Sequence, residues 1–165
     1  MLTSFDTLPV DARIWIYQAD RMLTADEQQR LSRATEQFLA GWQAHGKDLQ
    51  AAYRVEHNRF LIIGVDEAGQ NATGCSIDSS VGFIKSMEQD LAVNFFDRNK
   101  VLYLIGENQH ETTLKEFKEL VKTGRLHPDT CIFNNAIVSK AGLETGWLQP
   151  LSASWAARLM PPATV

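Results

Sequence analysis

The sequence of 165 residues is long enough for one domain, or for two small packed lobes, with a real hydrophobic core. Its 16 basic and 20 acidic side chains give a formal net charge of −4, which argues against broad nucleic-acid binding because that function needs a basic surface. With 44% hydrophobic and 22% charged residues, the composition is that of a soluble globular protein.

The two cysteines, Cys75 and Cys131, lie far apart and form no CxxC motif, which favours a reducing compartment. The first residues, MLTSFDTLPVDARIW, contain neither a basic leader nor an apolar h-region. No run approaches the ~18 apolar residues that a membrane-spanning helix requires. We therefore expect a cytoplasmic protein that does not enter a membrane.

The chain begins with a predicted strand and helix. Arg13–Gln18 is rich in β-branched and aromatic residues and predicts the strand. Thr24 and Glu27 have the spacing of a capping box, which predicts that a helix starts there. Gly46 is expected to stop this helix, with His45 at its C-terminal end, where a protonated histidine is favourable.

A hairpin is predicted next. Residues 49–56 alternate loosely and predict an edge strand, whereas residues 60–65 are almost continuously apolar and predict a central strand. His57 and Asn58 are expected to form the turn, since Asn tolerates positive φ.

A second amphipathic helix and a further strand complete the first half. Apolar residues from Ile77 to Leu91 recur at helical spacing, and residues 101–105 (VLYLI) predict a strand. The resulting order, β-α-β-β-α-β, is that of the ferredoxin-like fold. We therefore predict an α+β protein with a ferredoxin-like lobe over residues 1–98.

The remaining residues, 99–165, predict a second lobe. A short helix around residues 114–121 ends at Gly124, a strand follows at Cys131–Phe133, and helical turns surround Trp147 and Trp155. No linker separates the lobes, so they are expected to pack together and could form one continuous domain.

This C-terminal segment resembles the GYF-like modules of bacterial proteins, which share a strand, a helix of the form EELxxLVxxGxI, a PDTxV stretch and a following Trp. The resemblance implies a small GYF-like βαβ lobe that serves protein interaction. The best-known relatives bind proline-rich peptides through an aromatic and Gly-Pro stretch, where this sequence has IGENQHETT. The matching residues are Phe117, Leu120, Val121, Gly124, Leu126, Pro128, Asp129, Thr130, Ile132 and Trp147.

Most of the chain also resembles a family of small uncharacterised bacterial proteins of the Bacteroidetes type. The matching stretches include RFLIIGVD, ATGCSIDSSVGFI and FNNAIVSKAGLETGW. Members often carry the label "ABC transporter ATPase", which implies a phosphate-binding GK[ST] loop. The only Gly-Lys pair, Gly46-Lys47, is followed by Asp48, so the sequence is not expected to be that of an ATPase.

The stretch GVDEAGQNATGCSIDSS, residues 64–80, holds most of the suggestive chemistry. Its opening is similar to that of type-two ribonuclease H, but a nuclease needs several converging carboxylates, and here a helix follows directly. We interpret Asp66 and Glu67 as a solvated strand end that leads into a turn. The four histidines and two cysteines show no zinc-ligand spacing, so we expect no metal and no cofactor.

Cys75 precedes the second predicted helix and has two interpretations. Unpaired N–H groups at a helix start stabilise a thiolate, which could act as a nucleophile if His45 or His57 approached it. Alternatively, Cys75 is a small buried residue beside the helix caps Ser76 and Asp78.

The same helix start could hold an anion on its free N–H groups, although the charge of Asp78 opposes this. The candidate ligand-binding residues are Gly74, Cys75, Ser76, Asp78, Ser79 and His45.

Trp15 and Tyr17 project from one face of the first strand. An aromatic sheet face can stack single-stranded RNA, but residues 59–66 (RFLIIGVD) lack the RNA-recognition signature. We expect this face to be buried under the C-terminal lobe or a second subunit.

Taken together, the sequence predicts a non-catalytic protein-interaction or regulatory module that binds a protein partner or itself. The alternative is a small enzyme or anion-binding protein that uses Cys75.

Overall fold

The structure, a computed structural model, describes residues 1–162 of the chain and shows an α+β protein. Its regular elements are β1 (Arg13–Gln18), α1 (Ala25–Ala40), β2 (Gln43–Ala44), β3 (Lys47–Asp48), β4 (Gln50–Glu56), β5 (Phe60–Asp66), α2 (Gly74–Leu91), β6 (Lys100–Ile105), β7 (Asn108–Thr113), α3 (Leu114–Lys122), β8 (Cys131–Phe133), α4 (Lys140–Gly146) and β9 (Leu148–Pro150). Within residues 1–162, three 3₁₀ helices span Phe5–Thr7, Leu151–Ala153 and Trp155–Leu159.

The described chain divides into two compact units. Unit 1 comprises residues 1–96 and 136–144, and unit 2 comprises residues 97–135 and 145–162. The segment 136–144 therefore belongs to unit 1, although it follows most of unit 2 in the sequence.

Unit 1 is built on an antiparallel sheet with the strand order β1-β5-β4. Its central strand β5 is buried along almost its whole length, as its continuous apolar pattern predicts. Helices α1 and α2 pack on one face of the sheet around fully buried side chains such as Leu31, Leu61, Ile63 and Ile84.

On the other face of this sheet, the N-terminal 3₁₀ helix and the following loop approach the backbone of β5 closely. A Cβ atom on Gly64 would lie 2.6 Å from Cδ1 of Leu8 and 3.3 Å from Cε2 of Phe5. Both side chains are buried, and they occupy the space that a side chain at position 64 would need.

The first predicted helix begins where expected and ends earlier. The capping box is confirmed, because the N–H of Glu27 donates to Oγ1 of Thr24 (3.2 Å) and the N–H of Thr24 donates to the Glu27 carboxylate (2.8 Å). The helix ends at Ala40, with Gly41 as its C-cap. The prediction that it continues to Gly46 is wrong, since glycine at position 41 already disfavours the helix.

His45 consequently lies outside any helix. With φ values of 51° and 75°, His45 and Gly46 form the turn between β2 and β3. The predicted turn at His57 and Asn58 is confirmed, and both residues have positive φ (54° and 55°) between β4 and β5.

Unit 2 contains an antiparallel sheet with the order β7-β6-β8-β9. Strand β6 is the strand predicted at residues 101–105, and it does not complete the sheet of unit 1. A loop of two residues, Gly106 and Glu107, joins β6 to β7. Because so short a loop makes a hairpin, β6 pairs with β7, the strand that follows it. Helix α3 packs on this sheet through the buried Phe117 and Val121.

Candidate functional site

The start of α2 differs from the prediction. Its N-cap is Thr73, whose side chain accepts a hydrogen bond from the N–H of Ser76 (3.3 Å), while the N–H of Thr73 donates to Oγ of Ser76 (2.6 Å). Ser76 and Asp78 therefore lie inside the helix, and the prediction that they cap it is wrong. A threonine three residues before a hydroxyl side chain satisfies the free donors just as well, so the helix starts earlier.

The hydroxyl groups of Ser76 and Ser79, near the start of α2, form hydrogen bonds within the protein. The hydroxyl of Ser76 is buried and donates to the carbonyl of Thr73 (2.9 Å). That of Ser79 donates to the carbonyl of Ser76 (2.8 Å). The indole N–H of Trp42 also reaches the Ser76 carbonyl (2.8 Å) and Oγ of Ser79 (3.2 Å). These bonds support the packing of α2 and take up donors that an anion site would use.

Cys75 is exposed in the first turn of α2, so the interpretation of a buried apolar residue is wrong. Because the cap is Thr73, Cys75 occupies the solvent-facing side next to the buried Ser76. In residues 1–162, Cys75 makes no hydrogen bond to a histidine, and His45 lies in the β2–β3 turn. Gly74, Cys75 and Ser76 are consecutive residues of the first turn of α2, and His45 is not part of that helix.

The two adjacent carboxylates after β5 organise the loop that leads to α2. Oδ1 of Asp66 accepts from the N–H of Ala68 (2.9 Å), and Oε1 of Glu67 accepts from the N–H of Ala72 (3.3 Å). Glu67 also pairs with Arg13 at 3.5 Å. Within residues 1–162, no group of three His, Cys, Asp or Glu side chains has a metal-binding arrangement.

The aromatic face of β1 is covered by the helices of unit 1 itself. Trp15 packs edge-to-face on Trp42 (6.0 Å between centroids), and Phe38 stacks on Phe83 at 4.6 Å. Tyr17 is buried in the same cluster, where burial raises the pKa of its hydroxyl. The expectation that this face needs a C-terminal lobe or a second subunit to cover it is therefore wrong, because α1 and α2 already cover it.

Unit 2 exposes an aromatic side chain over its own core. Trp155 is 44% exposed, and its ring lies 5.8 Å from that of Phe117, which is fully buried. Leu120, Leu159 and Met160 are half-buried and pack against the same core. We call these four residues, Leu120, Trp155, Leu159 and Met160, the Trp155 surface.

A cavity of about 590 Å³ lies along α3 and shares Leu120 with the Trp155 surface. Its lining includes Lys115, Arg125, Glu116 and Glu119. The Thr112 hydroxyl and the Thr113 N–H donate to the Glu116 carboxylate, which lowers the pKa of Glu116. The ionised Glu116 side chain is therefore held in the capping box at the start of α3.

Sequence reasoning noted Trp155 only as part of a helical turn and missed the surface. No sequence motif marks this surface; the segment SWAARLM indicates only that Trp155 and Arg158 are three residues apart. In a 3₁₀ helix that spacing puts two side chains on the same side.

No family model, no curated protein and no solved structure matches this chain. Among residues 1–162, no helix has the length and apolar character needed to cross a bilayer.

Proposed function

We propose that this protein is a non-catalytic interaction module that binds a segment of a partner protein on the Trp155 surface of unit 2. The observation that carries the proposal is the exposed Trp155 ring seated on the fully buried Phe117. Exposed tryptophans on a rigid base are frequent anchors of binding energy, because they bury a large area at little entropic cost.

Two further features support an extended peptide as the ligand. The cavity beside Leu120 provides a concave site that one or two side chains can enter. The resemblance of the segment around α3 to GYF-like modules also favours protein interaction. The aromatic cluster here comes from Trp155, which lies C-terminal to α3 in the sequence.

The setting that we propose is the bacterial cytoplasm. Both cysteines are free thiols, which is the ordinary state in a reducing compartment.

A peptide-display selection against the full chain tests the function. Bound peptides are resynthesised, and their dissociation constants are measured with the wild type, Trp155→Ala and Leu148→Ala. Leu148 is a matched control, because it is 43% exposed, belongs to unit 2 and lies outside the Trp155 surface.

We expect Trp155→Ala to weaken binding by roughly tenfold or more and Leu148→Ala to change it less than about twofold. Circular dichroism verifies that both variants are folded. If every selected peptide binds Trp155→Ala as tightly as the wild type, the Trp155 surface is not the binding site and the proposal fails.

A further inference from the structure

Residues 4–9 (SFDTLP) lie on unit 1 as a bound peptide lies on its receptor. Phe5 and Leu8 are 5% and 4% exposed, whereas the side chain of Asp6, between them, is 80% exposed. Two backbone hydrogen bonds, both of 3.2 Å, lie within the segment itself. Two apolar anchors therefore hold a segment whose outer side faces solvent.

The two anchors enter a recess above Gly64, the position in β5 where a Cβ atom would meet both of them. Ile14, the β1 residue opposite Gly64, borders the recess, since its Cγ2 atom is 3.6 Å from that Cβ position. A glycine inside a strand often marks the place where another segment approaches the backbone closely. The recess therefore depends on the absence of a side chain at position 64.

Arg54 of β4 contacts the acidic and the aromatic residue of the segment. Its guanidinium pairs with the carboxylate of Asp6 and lies 4.5 Å from the ring centroid of Phe5. Because Arg54 follows Ala52, the β4 partner of Gly64, by two residues, its side chain lies on the same face of the sheet as the recess. One side chain thus selects for both a negative charge and an aromatic ring.

Lys140 contacts the backbone of the segment. Its side chain is 7% exposed, and Nζ donates to the carbonyls of Asp6 (2.9 Å) and Leu8 (2.6 Å). The carboxylate of Glu144 is 4.0 Å away and half exposed. A buried charge is costly unless polar groups surround it, so these two carbonyls satisfy the ammonium group. We call four residues the Gly64 groove: Ile14, Arg54, Gly64 and Lys140.

We infer that the Gly64 groove is a peptide-binding site, that residues 4–9 occupy it as an intramolecular ligand, and that it fits a partner protein's segment of the pattern aromatic, acidic, any residue, leucine. The partner's two apolar side chains replace Phe5 and Leu8. Its carboxylate pairs with Arg54, and its carbonyls accept hydrogen bonds from Lys140. This site belongs to unit 1 and is independent of the Trp155 surface.

Residues 4–9 compete with any such partner. Their covalent attachment gives them a high effective concentration at the groove, so a free peptide binds the wild type weakly. Weakening the intramolecular contacts removes the competitor and leaves the groove itself unchanged. The affinity for a free peptide should therefore rise when the anchors of the segment are removed.

A fluorescein-labelled peptide of residues 3–10 (TSFDTLPV) tests the site, with anisotropy as the readout. Its dissociation constant is measured with the wild type and with Phe5→Ala/Leu8→Ala, which removes both intramolecular anchors. We expect this variant to bind the peptide roughly tenfold or more tightly than the wild type does. A control peptide with Ala in place of both Phe and Leu should bind neither protein.

A second peptide, with Asn in place of Asp, tests the role of Arg54. Arg54→Gln, combined with Phe5→Ala/Leu8→Ala, should weaken the Asp peptide roughly threefold or more and weaken the Asn peptide less. Arg33→Gln in the same combination is the matched control, because Arg33 is exposed on α1 and its loss gives the same net charge. It should change the binding of neither peptide.

Two further measurements guard against a folding defect in Phe5→Ala/Leu8→Ala, whose fold circular dichroism verifies. Asp6→Asn keeps both anchors and loses the charge that pairs with Arg54, so it should bind the peptide with an intermediate affinity. Hydrogen exchange of the wild type should show faster exchange in residues 4–9 than in β5. Exchange of residues 4–9 only together with β5 would show that the segment never leaves the groove, and would overturn the inference.

The binding experiment has three outcomes that contradict the inference. Folded Phe5→Ala/Leu8→Ala that binds the peptide no more tightly than the wild type shows that the groove does not accept a free segment. Loss of this binding on adding Trp155→Ala places the peptide on the Trp155 surface instead. Self-association of the wild type that Phe5→Ala/Leu8→Ala abolishes makes residues 4–9 of a second copy the occupant, in place of a separate partner.

Discussion

Arg21 holds the carboxylate of Glu27 through two hydrogen bonds of 2.8 Å, one to each oxygen. The same guanidinium donates to the carbonyl of Leu91 (2.8 Å), so it joins the start of α1 to the end of α2. The hydrogen bonds from Arg21, followed by that from the backbone of Thr24, lower the pKa of Glu27 from 4.5 to about 2.

This ion pair predicts a specific pH dependence of stability. Because the pKa of Glu27 is lower in the folded than in the unfolded state, its contribution is complete above about pH 4.5 and is lost as the pH falls towards 2. We expect Glu27→Gln to lower the free energy of unfolding by about 1 kcal/mol at neutral pH, a modest value because solvent screens the pair. Glutamine at this position still completes a capping box, so the variant isolates the charge.

Urea unfolding of the wild type and Glu27→Gln between pH 7 and pH 2 checks this prediction. The difference between the two proteins should shrink across the acidic range. Asp11→Asn, at an exposed position of unit 1, should follow the wild type at every pH. A constant difference between wild type and Glu27→Gln would contradict the role of the ionised carboxylate.

The hydrogen bond from the indole N–H of Trp42 to the Ser76 carbonyl leads to a second prediction about the free energy of unfolding. Trp42→Phe removes this donor and part of a buried ring, and we expect it to lower the free energy of unfolding by about 1–3 kcal/mol. Trp15→Phe is the control, because Trp15 is half-buried and its indole makes no hydrogen bond within residues 1–162. Equal destabilisation by the two substitutions would show that the Trp42 hydrogen bond contributes nothing.

We expect substitution by alanine to have opposite effects on the free energy of unfolding at two glycines of unit 1. Gly64→Ala places a methyl group 2.6 Å from the buried Leu8, and we expect it to lower the free energy of unfolding by about 1–3 kcal/mol. Gly82→Ala adds a methyl group with open space around it in the middle of α2, and we expect a gain of about 0.5–1 kcal/mol. Chemical unfolding measures both, and a shared sign would contradict the packing described for Gly64.

The elements that the sequence predicted well are those whose signals are local. Thr24 and Glu27 define the start of α1 because a glutamate three residues after a threonine is a recognisable pair. Thr73 and Ser76 form the same pair of hydrogen bonds, with a serine in place of the glutamate. The sequence alone does not distinguish this serine from one in a helix interior.

Pairing and exposure were less predictable because they depend on distant residues. Strand β6 has the composition of a sheet strand, but nothing in it specifies the sheet that it joins. The exposure of Trp155 depends on how the 3₁₀ helix lies on Phe117, thirty-eight positions earlier in the chain. A surface formed by such contacts leaves no motif in the sequence.

Cys75 provides the last prediction and tests the alternative, thiol-based function. Cys75 is exposed at the start of α2, whereas Cys131 is half-buried and its thiol donates to the carbonyl of Asp129 (3.5 Å). We expect a colourless disulfide reagent that releases a coloured thiol to modify Cys75 first and Cys131 more slowly, with Cys75→Ser and Cys131→Ser assigning the two phases. Cys75→Ser should also leave peptide binding at the Trp155 surface unchanged within about twofold. Loss of binding in Cys75→Ser, with the fold intact by circular dichroism, would instead place the functional site at the start of α2.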